Sequence, residues 1–240
     1  MARLLWDQTG EKFYETGVNQ GVLYVYDSAA ADPTKAYGPG VAWNGLSSVS
    51  ETPSGAEANK IYADNINYLN LYSAEEFGAT IEAYTYPDAF KACDGTAEIV
   101  NGAFIGQQTR KTFGFCFKTI IGNDVDGDAK GYKLHLIYGC KASPSEAQYQ
   151  TVNDSPEAIA FSWEITTTPI AIGKINNVPY NPASRIVIDS TKFTTEAQKA
   201  ALAALEDKLF GTDTSGQTAG TDAYLPLPAE VVQTLTVANG

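Results

Sequence analysis

Residues 79–84 constrain the fold more than any other part of this sequence, because their side chains alternate strictly. The apolar positions are Ala79, Ile81 and Ala83, and the positions between them are Thr80, Glu82 and Tyr84. An alternation with a period of two is typical of a β-strand that buries one face. β-Branched and aromatic runs at about 41–50 and 59–72 precede it. We therefore expect three successive strands in this part of the chain.

The rest of the chain continues in strand-like segments separated by turn residues. The segment ETGVNQGVLYVY predicts a hairpin around Gly17–Gly21, and residues 96–105 predict one more strand. KTFGFCFKTII and KGYKLHLIYG predict an antiparallel pair around NDVDGDAK, and EAIAFSWEITTTPI and ASRIVIDS predict the last strands. Trp163 shares a strand face with Phe161 and Ile165, which indicates a core position. The predicted fold is mainly β, a sandwich or partial barrel with long loops.

One helix is predicted late in the chain. Thr195 is a good N-cap, and Gln198 three residues later completes a capping box. An apolar stripe at helical spacing follows, formed by Leu202, Leu205 and Leu209. Gly211 is a natural stop. We expect a helix over about 195–210 that packs on the outside of the sheet as a brace.

We expect one domain over residues 1–211 and a separate C-terminal part over residues 212–240. TDTSGQTAGTDA has the composition of a flexible linker. The following YLPLPAEVVQTLTVANG is apolar again, so it should dock on a surface. Pro226 and Pro228 favour an extended arm over a helix. The side chains of this arm that need burial are Leu225, Leu227, Val231 and Leu235.

The composition suits a subunit that packs against copies of itself. Charged residues are only 18% of the chain, against about a quarter in an average soluble protein. A net charge of -12 argues against a protein that grips DNA phosphates through a basic face. The N-terminal MARLLWDQTGEKF lacks the apolar core of a signal peptide, and no run reaches the roughly 18–20 apolar residues of a membrane span.

Side chains for catalysis are scarce. The single histidine, His135, lies within the strand-like KLHLIYG, and a structural role is expected for it. No GxSxG motif supplies a nucleophile for a catalytic triad. Three widely spaced cysteines form no metal or redox motif, and we expect them to be reduced core residues. They are Cys93, Cys116 and Cys140.

The acidic residues define no site by their spacing. Asp124, Asp126 and Asp128 suggest a calcium loop, but the sixth position is Ala129, where an EF-hand has glycine. A solvated hairpin tip is the favoured interpretation, with adventitious calcium as the alternative. The pairs Glu75–Glu76 and Glu157/Glu164 have no spacing that identifies a glycosidase. We therefore expect no enzyme, no cofactor and no bound metal.

Four longer sequence segments occur in order along the chain: GVAWNGL, SGAEANKIYADN, AEEFGATIEAYTYPD and IGQQTRKTFGFCFKTIIGND. Together they resemble the major tail protein of long-tailed (siphovirus-type) bacteriophages, the subunit of the tail tube. The resemblance covers about residues 1–210 in colinear order, and the C-terminal LPLP segment is also similar. A resemblance that rests on several segments in the same order is more specific than one that rests on a single motif.

The resemblance implies a tail-tube β-fold with one packed helix, six subunits in each ring, and rings stacked into a hollow tube that delivers DNA. It implies the tape-measure protein and the tail terminator and initiator proteins as partners. DNA would pass through the lumen without specific binding. The protein would belong to a virion tail, be assembled in the host cytoplasm and have no membrane contact. Two alternatives stay open: a tube protein of a related injection particle, and a carbohydrate-binding β-sandwich.

The charge distribution suggests which residues would face a DNA conduit. Residues 1–90 carry 4 basic and 12 acidic side chains, whereas residues 91–240 carry 12 and 16. An acidic wall would let DNA slide past without holding it. A hairpin over about 59–86 is predicted to contribute to this wall, and Glu82 should point away from the core. The lumen-facing candidates are Glu82, Asp64 and Glu164, with the outer surface as the alternative.

The stretch Ser47–Asn59 is predicted to be a loop that contacts other subunits. It is polar, contains glycine and is long for a hairpin connection. Long loops in compact domains usually have a function or are disordered. The residues expected to make contacts between stacked rings are Pro53, Ser54, Gly55 and Glu57.

Overall fold

The computed structural model describes residues 3–145, 147–151, 154, 158–175, 178–213 and 219–236. Its strands are β1 (Phe13–Tyr26), β2 (Tyr37–Trp43), β3 (Leu46–Glu51), β4 (Ser54–Gly55), β5 (Ala58–Ala63), β6 (Ile66–Tyr72), β7 (Glu75–Glu76), β8 (Gly78–Ala83), β9 (Ala97–Val100), β10 (Ala103–Ile105), β11 (Phe113–Asn123), β12 (Gly127–Ala142), β13 (Phe161–Thr167), β14 (Gly173–Ile175), β15 (Val178–Tyr180) and β16 (Arg185–Asp189). Its α-helices are α1 (Lys91–Asp94), α2 (Glu196–Phe210) and α3 (Pro228–Leu235). The prediction of a β-rich chain is confirmed.

Eight strands form one large antiparallel sheet in the order β2-β1-β11-β12-β13-β8-β3, with β16 also pairing with β12. β11 and β12 form the predicted pair, in register from Phe113↔Cys140 to Asn123↔Gly127. β2 and β3 stand at opposite ends of this order, yet only Asn44 and Gly45 separate them in the chain. The sheet must therefore curl until its end strands approach each other. No ladder joins these end strands in the described part of the chain, so the sheet is a partial barrel.

The long strand β12 serves two neighbours along one edge. It pairs with β16 over Lys133–Ile137 and with β13 over Cys140–Ala142. Gly139 lies at the junction with φ of +63°, and a Cβ there would collide with the backbone of Thr168. Only glycine satisfies both conditions at low cost. At this junction β12 changes its pairing partner from β16 to β13.

An aromatic core fills the inside of the curl. The Trp43 ring lies 4.6 Å from Phe90 and 5.5 Å from Trp163, measured between ring centroids. The Trp43 indole N–H donates to the carbonyl of Thr85 at 3.0 Å. Strands from both ends of the sheet contribute to this one cluster, so burial of these rings stabilises the curl. Trp163 and Ile165 are buried there, as the sequence predicted.

Helix α2 packs on the outside of the curled sheet. Its capping box is present: the Gln198 N–H donates to Thr195 Oγ1 at 3.2 Å, and the Thr195 N–H donates to Gln198 Oε1 at 3.1 Å. The Tyr24 hydroxyl donates to the carbonyl of Leu209 at 2.6 Å and ties the last turn to β1. The predicted stripe of Leu202, Leu205 and Leu209 is buried against β12 and β16 residues. The predicted helix and its buried face are confirmed.

Several strand predictions are wrong, because a turn was predicted where the strand continues or was missed where the strand ends. The predicted hairpin around Gly17–Gly21 is part of one strand, β1, whose register shifts between Thr16 and Val22 absorb the turn-like residues as bulges. Conversely, each of the predicted strands 41–50, 59–72 and 96–105 is two strands. Asp64 and Asn65 adopt positive φ values of 51° and 63°, the conformation that a two-residue hairpin turn requires.

Candidate assembly surfaces

The outer face of β3, β8 and β13 is polar. The pairs Glu82↔Ser162 and Thr80↔Glu164 place both glutamates on this face. Glu82 is exposed, while its strand neighbours Ile81 and Ala83 are buried. The Ser48 hydroxyl donates to Glu82 Oε2 at 2.8 Å. Two of the three lumen-facing candidates therefore share one surface, which points away from the core.

Asp64, the third candidate, lies elsewhere. It is at the tip of the β5–β6 hairpin, whose strands pair only with each other in the described part of the chain. The predicted hairpin over about 59–86 is therefore wrong: it consists of this projecting hairpin and of β8, which belongs to the main sheet. The β-branched and aromatic run over about 59–72 suggested one strand, and the Asp64–Asn65 turn within it was missed.

The predicted Ser47–Asn59 loop is largely strand. Residues 46–51 form β3, and Ser54 and Gly55 form β4, which pairs with Glu75 and Glu76 of β7. The candidates Pro53 and Glu57 flank this short ladder. The four residues thus build a stem for the projecting hairpin. Their small and polar side chains satisfy a ladder as well as a loop, which is why composition misled the prediction.

The β5–β6 hairpin presents large apolar side chains on both faces. Along β6, Leu69 and Leu71 lie on one face of the hairpin, and Tyr68 and Tyr72 lie on the other. Tyr68 is 65% exposed and Tyr72 is 69% exposed. An isolated two-stranded hairpin is at best marginally stable in water. A hairpin that is apolar on both faces is suited to lie between two other surfaces.

Three other exposed apolar segments surround the core. The N-terminal segment before β1 exposes Trp6 by 75% and Leu4 by 72%. The β9–β10 ladder exposes Ile99, and the β14–β15 ladder exposes Tyr180. Sequence reasoning assigned none of these residues to an interface. For Ile99, the interpretation of 96–105 as one strand concealed the turn between β9 and β10.

The C-terminal segment docks on its own subunit, but it is not extended throughout. Residues 223–225 add to the outer edge of β2: the Gly40 N–H donates to the Ala223 carbonyl at 2.7 Å, and the Leu225 N–H donates to the Tyr37 carbonyl at 2.9 Å. Leu225 and Val231 are buried, and Leu227 and Leu235 pack partly buried against the same outer cluster. Of the predicted linker, residues 214–218 lie outside the described part of the chain, as do residues 237–240 of the predicted arm.

The prediction of an extended arm is wrong beyond Leu227, because Pro228 begins helix α3. Proline is tolerated in the first helical turn, where its missing N–H would have no partner in any case. Glu230 of α3 accepts hydrogen bonds from Lys208 Nζ at 2.9 Å and from the Tyr224 hydroxyl at 2.6 Å. Burial and this bond to Glu230 raise the pKa of Tyr224. The segment is thus part of the folded subunit.

His135 is a buried structural residue. Its ring stacks on Phe117 at 4.4 Å between centroids, and its Nε2 lies 2.9 Å from Thr119 Oγ1. Burial lowers its pKa from 6.5 to about 4, although the nearby Glu15 acts in the opposite direction. Nδ1 is 3.7 Å from Glu51 Oε1, and Glu51 pairs with Arg185 at 2.6 Å. The histidine is therefore uncharged at neutral pH and packs like an aromatic residue.

The three aspartates at the β11–β12 turn are engaged in structural contacts. Asp124 accepts from the Gly10 N–H at 3.0 Å, Asp126 pairs with Lys130 at 3.1 Å, and Asp128 accepts from the Tyr14 hydroxyl at 2.8 Å. The contacts of Asp124 and Asp128 hold Gly10 and Tyr14 against the turn, and the Asp126–Lys130 pair lies within the turn. Glu157, which was considered together with Glu164, lies outside the described residues.

The described residues contain neither a candidate metal site nor a candidate membrane-spanning helix. No group of three or more His, Cys, Asp or Glu side chains there is arranged to hold a metal ion. Within the same residues, no helix combines the length and the apolarity that crossing a membrane requires.

Comparison with solved structures found distant likenesses only. No protein-family model matches the chain, and no curated protein sequence matches it. The chain is similar to a chain in the sixfold-symmetrised cryo-EM structure of the anti-feeding prophage (AFP) baseplate. The match covers 77% of this chain and 97% of that chain, with 9% identity and a TM-score of 0.34. Values this low do not establish a common fold or function.

Proposed function

We propose that this protein is a structural subunit that assembles with copies of itself into the tail tube of a long-tailed bacteriophage. The role is architectural, with no catalytic step. Six copies form each ring, the rings stack into a hollow tube, and the protein belongs to the virion. The ring number, the DNA conduit and the partner proteins of the tail rest on the resemblance of the sequence to tail-tube proteins. Self-association has a separate basis in the geometry.

The observation that carries self-association is the two-faced β5–β6 hairpin. Its edges are unpaired in the described part of the chain, and unpaired strand edges favour addition of further strands. Each of its faces exposes large apolar side chains that need cover. A neighbouring copy can satisfy edges and faces together, because every copy carries the same hairpin. Closure of such pairings around a ring leaves no free edge.

The polar face of β3, β8 and β13 is the part of the subunit that we assign to the lumen. It carries Glu82 and Glu164 among small hydroxyl side chains, and Lys141, opposite Thr166, adds one cation at its margin. Helices α2 and α3 cover a different part of the sheet. A wall of hydroxyl and carboxylate groups gives DNA phosphates little to bind.

A tube subunit of a related injection particle would use the same surfaces. Such a particle would be distinguished from a phage tail by the absence of DNA after purification. A carbohydrate-binding module is less favoured, because Trp43 and Trp163 are buried in the core. The exposed tyrosines of the hairpin lie on a projecting ribbon, whereas sugar-binding sites are concave.

The test compares the wild-type chain with a hairpin variant, Leu69→Asn combined with Leu71→Asn. Mass photometry and negative-stain electron microscopy are expected to show rings or tubes for the wild type and monomers for the variant. The far-ultraviolet circular dichroism of the two proteins should agree. A matched control, Val178→Asn, changes an exposed apolar residue on another hairpin.

Wild-type protein that stays monomeric at high concentration, with and without tail initiator proteins, would refute the proposed function. Wild-type tubes together with equally good tubes from the Leu69/Leu71 variant would refute the role of the hairpin alone. Monomers from the Val178→Asn control would show that any loss of apolar surface prevents assembly, and would also remove the specific assignment to β5–β6.

A further inference from the structure

We infer that β6 of one copy pairs with β6 of a second copy, antiparallel and about a two-fold axis at Asn70, so that free subunits form a dimer through their projecting hairpins. The partner is a second copy of this chain. The pairing itself does not require that the subunit builds a tube, and only its effect on assembly rests on the proposed function.

The free edge of β6 is uncharged over its whole length. Its sequence, INYLNLY, contains no charged residue, no proline and no glycine, and all seven residues are exposed. Proteins commonly protect open strand edges with charged side chains, and β5, the other strand of the hairpin, carries Lys60 in its middle. Uncharged segments of this length with high β-propensity favour pairing with identical segments. The edge that lacks such protection is therefore that of β6.

Charge selects this edge as the place where two copies can meet. Each copy carries a net charge of -12, so two copies repel each other over most of their surfaces. The charges of the hairpin lie outside β6: Lys60 is in β5, Asp64 is in the turn and Glu57 precedes β5. A contact between two β6 strands brings only uncharged side chains together.

The sequence of β6 is complementary to itself in one antiparallel register. With Asn70 opposite the partner's Asn70, leucine meets leucine, because Leu69 lies opposite the partner's Leu71. Tyrosine likewise meets tyrosine, because Tyr68 lies opposite the partner's Tyr72. Cross-strand aromatic pairs stabilise antiparallel sheets, and the two amides at the axis can bond to each other. The ladder between β5 and β6 is regular from Leu69 to Tyr72, so this half of β6 offers a straight edge.

Pairing turns two marginal ribbons into one sheet of four strands. A two-stranded hairpin alone is marginally stable in water, and three or more strands are needed for independent stability. The strand order becomes β5-β6-β6-β5, with Lys60 of each copy in an outer strand. Because β6 has one free edge in the described part of the chain, the contact is isologous and stops at two copies.

The area of the contact makes the dimer weak and reversible. Tyr68 is 65% exposed and Tyr72 is 69% exposed, so at about 150–250 Å² for a whole side chain the two can bury at most about 200–350 Å² in each copy. For two copies this is about half of the roughly 1,200 Å² at which stable interfaces begin. Leu69 and Leu71, which are 37% and 53% exposed, add less than the tyrosines.

The dimer and the tube compete for the same strand edge. Contacts that repeat along a tube axis are heterologous, whereas a two-fold contact closes on itself. The proposed function assigns the free edges of the hairpin to contacts between neighbours in the tube. A subunit that is paired through β6 is therefore held out of the tube until the pair opens.

Disulfide trapping in the full-length chain tests the register. Asn70→Cys places two thiols directly opposite each other, where Cα atoms of an antiparallel pair are about 4.5–5.5 Å apart, which suits a disulfide. The control is Lys60→Cys, because Lys60 lies opposite Asn70 within the same hairpin. In the dimer its two copies are about 14 Å apart, across three strand spacings of roughly 4.8 Å. The native cysteines are buried.

In a buffer of oxidised glutathione, Asn70→Cys should give covalent dimer in a yield on the order of tenfold above that of Lys60→Cys, because pairing raises the effective concentration of the thiols. Equal yields from the two variants would overturn the inference.

A pair of charge variants tests the same axis without a cross-link. Asn70→Lys places two ammonium groups against each other and should abolish the dimer in sedimentation velocity. Asn67→Lys is the matched control, since it adds the same charge to the same strand and both variants lose the hydrogen bond between Asn67 and Asn70. Its two ammonium groups are about 20 Å apart, at roughly 3.3 Å for each of six residues, so it should dimerise like the wild type. Dimers from both variants, or monomers from both, would contradict the pairing.

The effect on assembly has a separate readout. Oxidised Asn70→Cys dimers should form no tubes until a reductant is added, and tubes made from the oxidised dimers would remove the competition. If the wild type forms tubes and Asn70→Cys is trapped no better than its control, the dimer is wrong and the proposed function stands. If the dimer is trapped but no condition yields rings or tubes, the proposed function fails and the dimer remains.

Discussion

Replacement of His135 tests whether burial of an uncharged histidine makes the fold sensitive to mild acid. Burial lowers the pKa of His135 from 6.5 to about 4. Between these two values the unfolded chain binds a proton that the folded chain does not, so stability must fall as the pH falls. At about 1.4 kcal/mol for each pH unit, the loss amounts to roughly 3 kcal/mol.

The groups that face His135 leave this direction unchanged. Glu15 on β1 and Glu51 on β3 favour the charged imidazole, while Lys133 on β12 and Arg185 on β16 oppose it. Since Glu15 pairs with Lys133 and Glu51 pairs with Arg185, the charges nearly cancel. Burial of His135, which is 6% exposed and stacks on Phe117, then decides the sign of the pKa shift.

The assay is urea unfolding of dilute subunits at several pH values between 7.5 and 4.5. For the wild type, the free energy of unfolding should fall through this range. His135→Gln removes the titrating group and should flatten the dependence between pH 6.5 and 4.5, whatever its effect on absolute stability. The comparison variant is Glu15→Gln. Burial alone raises the pKa of Glu15, but bonds from Lys133 and Thr119 lower it below its usual value, so the loss of its own titration should appear only at lower pH. Because Glu15 favours the protonated imidazole, its removal should leave the fall in stability between pH 6.5 and 4.5 in place. Parallel curves for wild type and His135→Gln would refute the reasoning.

Three further changes probe the outer core and the polar face. Leu205→Ala should reduce the free energy of unfolding by about 2–5 kcal/mol, because Leu205 is fully buried between α2 and the sheet; a loss below about 0.5 kcal/mol in urea unfolding would contradict this packing. Leu225→Ala should lower the free energy of unfolding by a similar amount, because its side chain fills the space that Gly114 leaves open. The control Ala229→Ser, on the exposed side of α3, should leave the free energy of unfolding unchanged. Glu82→Lys should leave tubes intact but slow DNA ejection in a fluorescence release assay, and a map of the assembled tube with Glu82 on its outer surface would remove that expectation.

The sequence predicted those elements whose signal is local. The Thr195–Gln198 capping box and the leucine spacing define α2 without reference to the rest of the fold. The alternation around Glu82 likewise gives the orientation of β8 from six residues. Local chemistry decides such elements because the backbone bonds of a helix, and the faces of a strand, follow from neighbouring residues.

The failures occur where tertiary contacts decide the backbone path. Gly17–Gly21 carries turn residues, but pairing with β11 on one side and β2 on the other extends this stretch as a bulged strand. Pro228 was interpreted as a helix breaker, although proline at the first position is compatible with a helix whose remaining residues pack on α2. Asp64 was grouped with Glu82 because one strand was assumed where a turn separates two. Each error came from assigning one role to a residue type that has two.

The curled sheet stabilises the folded subunit, and the projecting segments are left for contacts between subunits. Trp43, Trp163 and Phe90 share a core with strands from both ends of the sheet, and none of its members comes from β5 or β6. The subunit can therefore fold before it meets a partner, while its apolar projections stay exposed until one arrives. This order has a cost, because exposed apolar ribbons promote indiscriminate association. The acidic surplus of the chain opposes that association by mutual repulsion, and added salt screens it within about 10 Å at 0.1 M. Assembly should consequently become faster as salt is raised, even though the contacts themselves are apolar.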